Sequence, residues 1–457
     1  MRIQRLQITI LPSIMLYRIL KILLGTGIWL YYREVRVKHR ERLIQKGPTI
    51  IIANHPNTLM DAWIIAGLCK RPIYYMAKGT FFNTPLKRWF LKGLGLIPVN
   101  RSVDNRTAGV SNQQAFEACY EVLEKGDTLL IFPEGNSSLE RQLRELKTGA
   151  ARIALEAETR NGGKLGIKIV PIGLIYVQGE QFRSSVLANI GETIDPSHHY
   201  DEYQLHPSPT GKKLTEKFRA SLEGLLVNSI SKDQEDFVDA IVEVLSSEEQ
   251  NQSIRGVESE VELMKNVHAA LNRIYLDTPG ELTKIELLVY RLKWQLEKME
   301  IDPKLLSRKL KRGMFIRQLM ESISILFLGL PIFFIGVIHN FFPFKLTGFL
   351  MPILVKDVEY YAPIAILLGI VLYPLTYIGF LFLVDYLFEW EWWVNIIYFA
   401  AMPISGMIAY YFLRYIGQVS FKWNYLLLLS GKRELLKSLR SDKERLKRSL
   451  FNPEFDQ

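Results

Sequence analysis

Pro48-Thr49-Ile50-Ile51-Ile52-Ala53 runs without a break into Asn54-His55-Pro56-Asn57-Thr58-Leu59-Met60-Asp61. The first six residues form an apolar run that reads as a buried strand. The next eight place a histidine at the mouth of that strand and an aspartate six positions later. Pro56 suits the first residue of a helix, where its missing N–H is unpaired anyway. The pair therefore falls where a strand gives way to a helix. A helix N-terminus disfavours an imidazolium, so His55 would stay neutral and able to accept a proton. Asp61 could fix its tautomer, giving a general base with an orienter. On spacing alone a surface histidine capping a helix is the better reading, so the surrounding sequence has to decide.

Working outward, apolar strands alternate with helical patterns from residue 35 to 200. Leu43–Ala53, Ile73–Ala77, Ile97–Val99, Thr128–Phe132 and Ile167–Tyr176 read as strands. Met60–Cys69, Pro85–Leu94, Asn112–Lys125 and Thr148–Glu156 read as helices. That alternation predicts an α/β domain with a largely buried sheet. Sites in such folds gather at the carboxyl ends of strands, where His55 and Glu134 both fall.

Three further blocks follow the histidine. Gly93-Leu94-Gly95-Leu96-Ile97-Pro98-Val99-Asn100-Arg101 runs from a glycine turn through a short strand to an arginine. Thr128-Leu129-Leu130-Ile131-Phe132-Pro133-Glu134-Gly135-Asn136-Ser137-Ser138 is a strand stopped by Pro-Glu-Gly. Ile167-Lys168-Ile169-Val170-Pro171-Ile172-Gly173 is a strand with a proline near its end. In this order the four blocks resemble those of the PlsC-type glycerolipid acyltransferases, which act on 1-acyl-glycerol 3-phosphate or glycerol 3-phosphate. The resemblance covers roughly residues 35 to 200, under half of the chain. Two features depart from it. The family usually has four residues between His and Asp where this chain has five, as in the subgroup of fungal-type glycerol-3-phosphate/dihydroxyacetone-phosphate acyltransferases and their bacterial relatives. The third block usually continues Thr-Arg-Ser where this chain has Asn136-Ser137-Ser138, so an arginine that helps hold the acceptor phosphate is missing.

The resemblance implies an O-acyltransferase of phospholipid biosynthesis needing no metal and no cofactor, with acyl-CoA or acyl-carrier protein as co-substrate. His55, oriented by Asp61, would deprotonate an acceptor hydroxyl. Backbone N–H groups near the second block would meet the oxyanion. Arg101 would bind the acceptor phosphate. Glu134 and Gly135 would shape the acceptor site, with Asn136 and Ser137 as weaker phosphate donors, and Lys147 in Lys147-Thr148-Gly149 could add charge. Each has a plainer reading: Arg101 as a surface residue ending a strand, Glu134 as a cap on the turn at Gly135, Lys147 as a solvated helix-start residue. At the level of function, the alternatives are an inactive lipid-binding protein on an acyltransferase-like fold and an acyltransferase for a non-phosphate acceptor.

Composition fits a membrane-associated protein. The net charge is +10 over 457 residues, and residues 1–110 hold 18 Lys and Arg against 4 Asp and Glu. A basic N-terminal third suits anionic lipid head groups and phosphorylated substrates; no nucleic-acid module accompanies it. Cys69 and Cys119 lie in apolar context and suggest neither a disulfide framework nor a metal site. His198 and His199 lack the partners of a metal site. Residues 1–34 read as a membrane-interacting N-terminal helix without a cleavage site, lying in the interface with Arg18 and Lys21 snorkelling, or else spanning. The acyltransferase domain then covers 35–207, and a polar helical module, read as cytoplasmic, covers 208–316, with amphipathic helices at Val257–Asn272 and Glu281–Met299.

Residues 317–420 form a transmembrane region of three or four helices. Ser322–His339, Tyr361–Val384 and Trp393–Tyr415 are long enough to span. Basic residues flank both ends, which favours an even number of crossings, met by a short fourth at Phe341–Val355. A basic cytoplasmic tail would occupy 421–457. The reading is an integral membrane protein with its active site on the cytoplasmic side, meeting membrane lipids, an acyl donor (acyl-carrier protein among the candidates) and a glycerol-phosphate acceptor, and no nucleic acid.

Overall fold

The computed structural model describes residues 14–44, 46–99, 112–229, 231–246, 256–307, 314–431 and 433–451. The chain divides into two compact units. The first comprises residues 1–228 with the later segment Asp357–Ile366; the second comprises Ser229–Lys356 and Leu367–Gln457.

The first unit is built on seven strands: β1 (Glu34–Lys38), β2 (Thr49–Ala53), β3 (Ile73–Lys78), β4 (Leu96–Val99), β5 (Thr128–Ile131), β6 (Lys168–Tyr176) and β7 (Ser185–Ile190). Their order is β1-β7-β6-β2-β5-β3-β4. All neighbours are parallel except β6 and β7. Thr49 to Ala53 of β2 are buried throughout, as a central parallel strand covered on both faces should be. Pro98 costs the sheet little because β4 lies at its edge. The intervening helices are α1 (Ile14–Tyr31), α2 (Thr58–Leu68), α3 (Pro85–Gly93), α4 (Asn112–Glu124), α5 (Gly149–Arg160), α6 (Tyr200–Leu205) and α7 (Pro207–Leu225).

All five strands expected from sequence are present, but β1 and β7 were not foreseen. Glu34-Val35-Arg36-Val37-Lys38 is a charged edge strand, short and half-exposed, and such edges avoid the apolar run that marks a buried strand. The second strand begins at Thr49, six residues later than the apolar pattern suggested. The boundary placed at 207 moves to Asn228, because α7 packs on α5 and β6. Its last turn reaches the sheet where Gly173 leaves room: a Cβ there would lie 2.7 Å from Leu225 Cβ.

In the second unit, α8 (Lys232–Leu245), α9 (Val257–Asp277), α10 (Pro279–Lys298) and α14 (Arg433–Phe451) pack together. The expected basic tail is thus not a tail: Leu436, Leu439, Leu446 and Leu450 of α14 are buried, Lys443 is buried with them and donates to the Ser246 and Pro303 carbonyls, and Arg433, Lys437, Arg445, Lys447 and Arg448 are exposed, as on an amphipathic helix. The remaining helices are α11 (Met314–Leu354), α12 (Tyr361–Phe388) and α13 (Trp392–Gly431). Among the described residues, three segments are long and apolar enough to cross a membrane: Ile316–Leu354, Val358–Phe388 and Trp392–Leu427. The proposed fourth crossing at Phe341–Val355 is instead a continuation of α11, which keeps Pro331, Pro343 and Pro352 inside one helix. At 1.5 Å per residue its 41 residues are about twice the length of a bilayer's hydrocarbon core. Small residues let α11 and α13 approach closely: a Cβ on Gly336 would meet the Ser405 carbonyl, and one on Gly406 would lie 2.5 Å from Asn340.

Gly173→Ala tests the enlarged boundary of the first unit. It should cost about 1–3 kcal/mol by overpacking, read as a lower urea midpoint with an unchanged slope.

Candidate functional site

The site forms where β2, β5 and β6 end side by side. The register pairs Ile52 with Ile131 on one side and with Pro171 on the other, so the residues after these strands emerge together. Asn54 fastens the β2 exit: its side-chain amide donates to the Leu174 carbonyl at 2.9 Å and its carbonyl accepts from Leu174 N–H at 2.7 Å.

His55 follows. Its ring stacks on Phe132, with centroids 3.9 Å apart and planes 9° from parallel. Its Nδ1–H donates to Asp61 Oδ2 at 2.8 Å. Asp61 is fully buried and accepts two more hydrogen bonds, from the backbone N–H of Asn57 (2.8 Å) and from the Tyr176 hydroxyl to Oδ1 (2.7 Å). An ionised carboxylate can only accept, so this arrangement assigns the proton to Nδ1 and leaves Nε2 with its lone pair. Burial, with the Asp61 charge second, raises the Tyr176 phenol well above its ordinary range, so the hydroxyl remains a donor.

The local path differs from the expectation that Pro56 would open the helix. Asn57 is the N-cap and α2 starts at Thr58, which lies in the left-handed region at φ 41°. A β-branched residue there stores roughly 1–3 kcal/mol of strain. The left-handed turn lets five intervening residues still bring His55 and Asp61 into hydrogen-bond distance.

Glu134 buttresses the histidine from β5. Its Oε1 accepts from His55 N–H at 2.8 Å and its Oε2 from Arg144 N–H at 3.2 Å. Burial raises its carboxyl above the usual value, with these two N–H donors partly opposing the rise. Glu134 is thus more than a cap on its own turn: it fixes the backbone that carries His55. Gly135 has φ 77°, and a Cβ there would lie 2.7 Å from Lys147 Nζ. That close approach places the exposed Lys147 ammonium over the Glu134–Ser137 turn. Ser138 N–H donates to the His55 carbonyl at 3.1 Å, closing Asn136 and Ser137 against the site. A pocket beside His55 and Glu134, lined also by Arg141, Leu143 and Val227, measures about 30 Å³, enough for ordered solvent.

Of the residues singled out in the sequence, His55, Asp61, Glu134, Gly135, Asn136, Ser137 and Lys147 come together; Arg101 lies outside the described residues. Tyr176, Phe132 and Asn57 were missed as site residues. Tyr176 ends the Val-Pro strand, and its position at a carboxyl end is the one signal that could have flagged it. Arg71 donates to the carbonyls of Gly47 and Gly126 and to the Thr49 hydroxyl, tying together the loops that precede β2 and β5. Among the described residues there is no cluster of three metal-ligating side chains.

Residues 34–175 match the family model described as Acyltransferase. A 1-acyl-sn-glycerol-3-phosphate acyltransferase of Chlamydomonas reinhardtii is 30% identical over 28% of this chain and 34% of its own length. One from Borreliella burgdorferi is 27% identical over 45% of this chain and 74% of its own. The glycerol-3-phosphate O-acyltransferase 2 of Saccharomyces cerevisiae is 31% identical over 26% of this chain and 16% of its own. All four blocks lie within the segment that matches this family model. The chain spans about a third of the length of the first curated relatives it matches.

Two stability measurements probe this network. Tyr176→Phe should cost about 1–3 kcal/mol by leaving Asp61 a bond short, read by urea unfolding. Because the folded Glu134 carboxyl holds its proton more tightly than an unfolded one, the stability it contributes is greatest at low pH and is lost as pH rises through its raised value. Wild type should therefore lose stability relative to Glu134→Gln between pH 4 and 7, read by urea midpoints across that range.

Proposed function

We propose that this protein transfers a fatty acyl group from acyl-CoA or acyl-carrier protein to a hydroxyl of a glycerol phosphate, either glycerol 3-phosphate or its 1-acyl form, in phospholipid biosynthesis. The observation that carries the reading is His55 with Nδ1 committed to a buried, triply hydrogen-bonded Asp61 and Nε2 left basic. The names of the relatives and the matched family segment support it.

The acceptor hydroxyl gives its proton to His55 Nε2 as its oxygen attacks the thioester carbonyl carbon. The new C–O bond forms, and the oxyanion is met by backbone N–H groups. The C–S bond then breaks and the departing thiolate takes the proton back from His55. Asp61 stabilises the transient imidazolium and holds the ring. The acceptor phosphate lies toward Lys147, with Arg101 and Asn136 as its further donors; the Ser137 hydroxyl is instead committed to the Glu359 carboxylate. Exposed Met15, Ile22 and Trp29 on α1 support an interfacial helix beside the catalytic domain; the three apolar helices anchor the chain, with the site on the cytoplasmic side. A lipid-binding protein without activity would have no use for the strained Thr58 backbone that preserves the dyad.

Purified protein in detergent, given radiolabelled palmitoyl-CoA and each acceptor in parallel, should form acylated product. His55→Ala should lower kcat/KM by about 10³-fold or more. Lys147→Ala should raise the KM for phosphate acceptors about tenfold, equivalent to 1.4 kcal/mol, with a small change in kcat. No product from either acceptor with either donor type would sink the reading.

A further inference from the structure

The α/β unit contains one segment from far downstream, Asp357–Ile366, which comprises the end of the connection after α11 and the first turns of α12. Ala362 and Ile366 are buried, and a Cβ on Gly27 would lie 2.5 Å from Ile366 Cγ2, so α1 holds this segment by close packing. From it Glu359 reaches the site. Its backbone carbonyl accepts from the Thr58 hydroxyl at 3.0 Å, and its Oε1 accepts from the Ser137 hydroxyl at 3.2 Å. Glu359 thus touches both the loop between His55 and Asp61 and the end of the Phe-Pro-Glu-Gly block. Its second carboxylate oxygen has no protein partner among the described residues.

A carboxylate is an acceptor only and repels a phosphate. The part of an acceptor that lies against Glu359 must therefore donate hydrogen bonds. Only Asn136 separates the two points at which opposite charges meet this turn: Lys147 over Gly135 and Glu359 on Ser137. A polyol phosphate fits that polarity in one direction, with its phosphate toward Lys147 and its hydroxyls toward Glu359. One hydroxyl is consumed at His55, which leaves a second to be recognised.

Building on the acyl-transfer reading, we propose that Glu359 is a specificity-determining residue that accepts a hydrogen bond from the second, non-reacting hydroxyl of the acceptor. The site then selects glycerol 3-phosphate over its 1-acyl form. The 1-acyl form keeps a single hydroxyl, at C2; placed at His55 to react, it leaves none for Glu359, and the esterified C1 oxygen has no proton to give and brings an apolar chain against the carboxylate. A ketone in its place fails for the first reason alone.

The test compares kcat/KM of the full chain in detergent for glycerol 3-phosphate, dihydroxyacetone phosphate and 1-palmitoyl-glycerol 3-phosphate, using palmitoyl-CoA and, in parallel, palmitoyl-acyl-carrier protein. Wild type should favour glycerol 3-phosphate over both others by at least about tenfold, because a site built to bind a hydroxyl rejects analogues that lack it. Glu359→Ala should bring the ratio to dihydroxyacetone phosphate within about threefold, mainly by raising the KM for glycerol 3-phosphate. Glu359→Gln, which keeps an acceptor oxygen, should fall between. A ratio measured within one protein does not depend on the fraction folded, so a merely structural role would leave it unchanged. Equal ratios in all three proteins, or equal use of 1-palmitoyl-glycerol 3-phosphate by wild type, overturn the role of Glu359 alone. No His55-dependent transfer to any acceptor from either donor overturns the acyl-transfer reading and this inference together.

Discussion

A single buried carboxylate organises the catalytic end of the domain. Taking Asp61 out of water costs several kcal/mol, and that cost is offset because the chain supplies three donors to it: an imidazole N–H, a backbone N–H and a phenol. Hydrogen bonds to a charged group are each worth roughly 1.5–3 kcal/mol. The donors come from the end of β2, the start of α2 and the end of β6. Satisfying the charge therefore fixes three elements relative to one another and sets the histidine's tautomer in the same act.

The sheet makes this convergence possible. Parallel strands that all point one way deliver their next residues to one edge, and β2, β5 and β6 are neighbours at its centre. His55 leaves one, Phe132 and Glu134 the next, Tyr176 the third. The stack on Phe132 and the bond from Glu134 to His55 N–H hold the ring and its backbone independently of Asp61. A ring so constrained is held in one orientation by three separate contacts.

The membrane region follows a different physics. Where apolar side chains gain nothing by leaving lipid, helices associate through small residues and polar contacts. Gly329, Gly336 and Gly406 open the close approaches seen between α11 and α13. Asn340 is tied to Met402 and to Tyr377 by hydrogen bonds in the same region. The connection between the first two long helices is the exception, since it is counted with the α/β unit and brings a carboxylate to Ser137.

How much of this was legible beforehand depends on the range of each interaction. The buried strand Thr49–Ala53, the His–Asp pair and the Pro-Glu-Gly turn are local patterns, written in consecutive residues whose hydrophobicity and backbone freedom suffice to read them. Edge strand β1 hid because an exposed edge needs no apolar run, and α11 was split in two on paper because a proline breaks an isolated helix more readily than one whose neighbours share its load. Tyr176 and Glu359 contact the site across 115 and 301 residues of sequence, and no periodicity encodes such a meeting. The sequence by itself determined the α/β class, the adjacency of a histidine and an aspartate at a strand's end and the presence of apolar helices, because burial and turn chemistry act over a few residues. Only the tertiary structure decided which phenol stabilises Asp61, that Thr58 turns left-handed to keep the dyad in reach, and that a carboxylate from between two long helices faces the acceptor block, because those depend on which strands lie side by side.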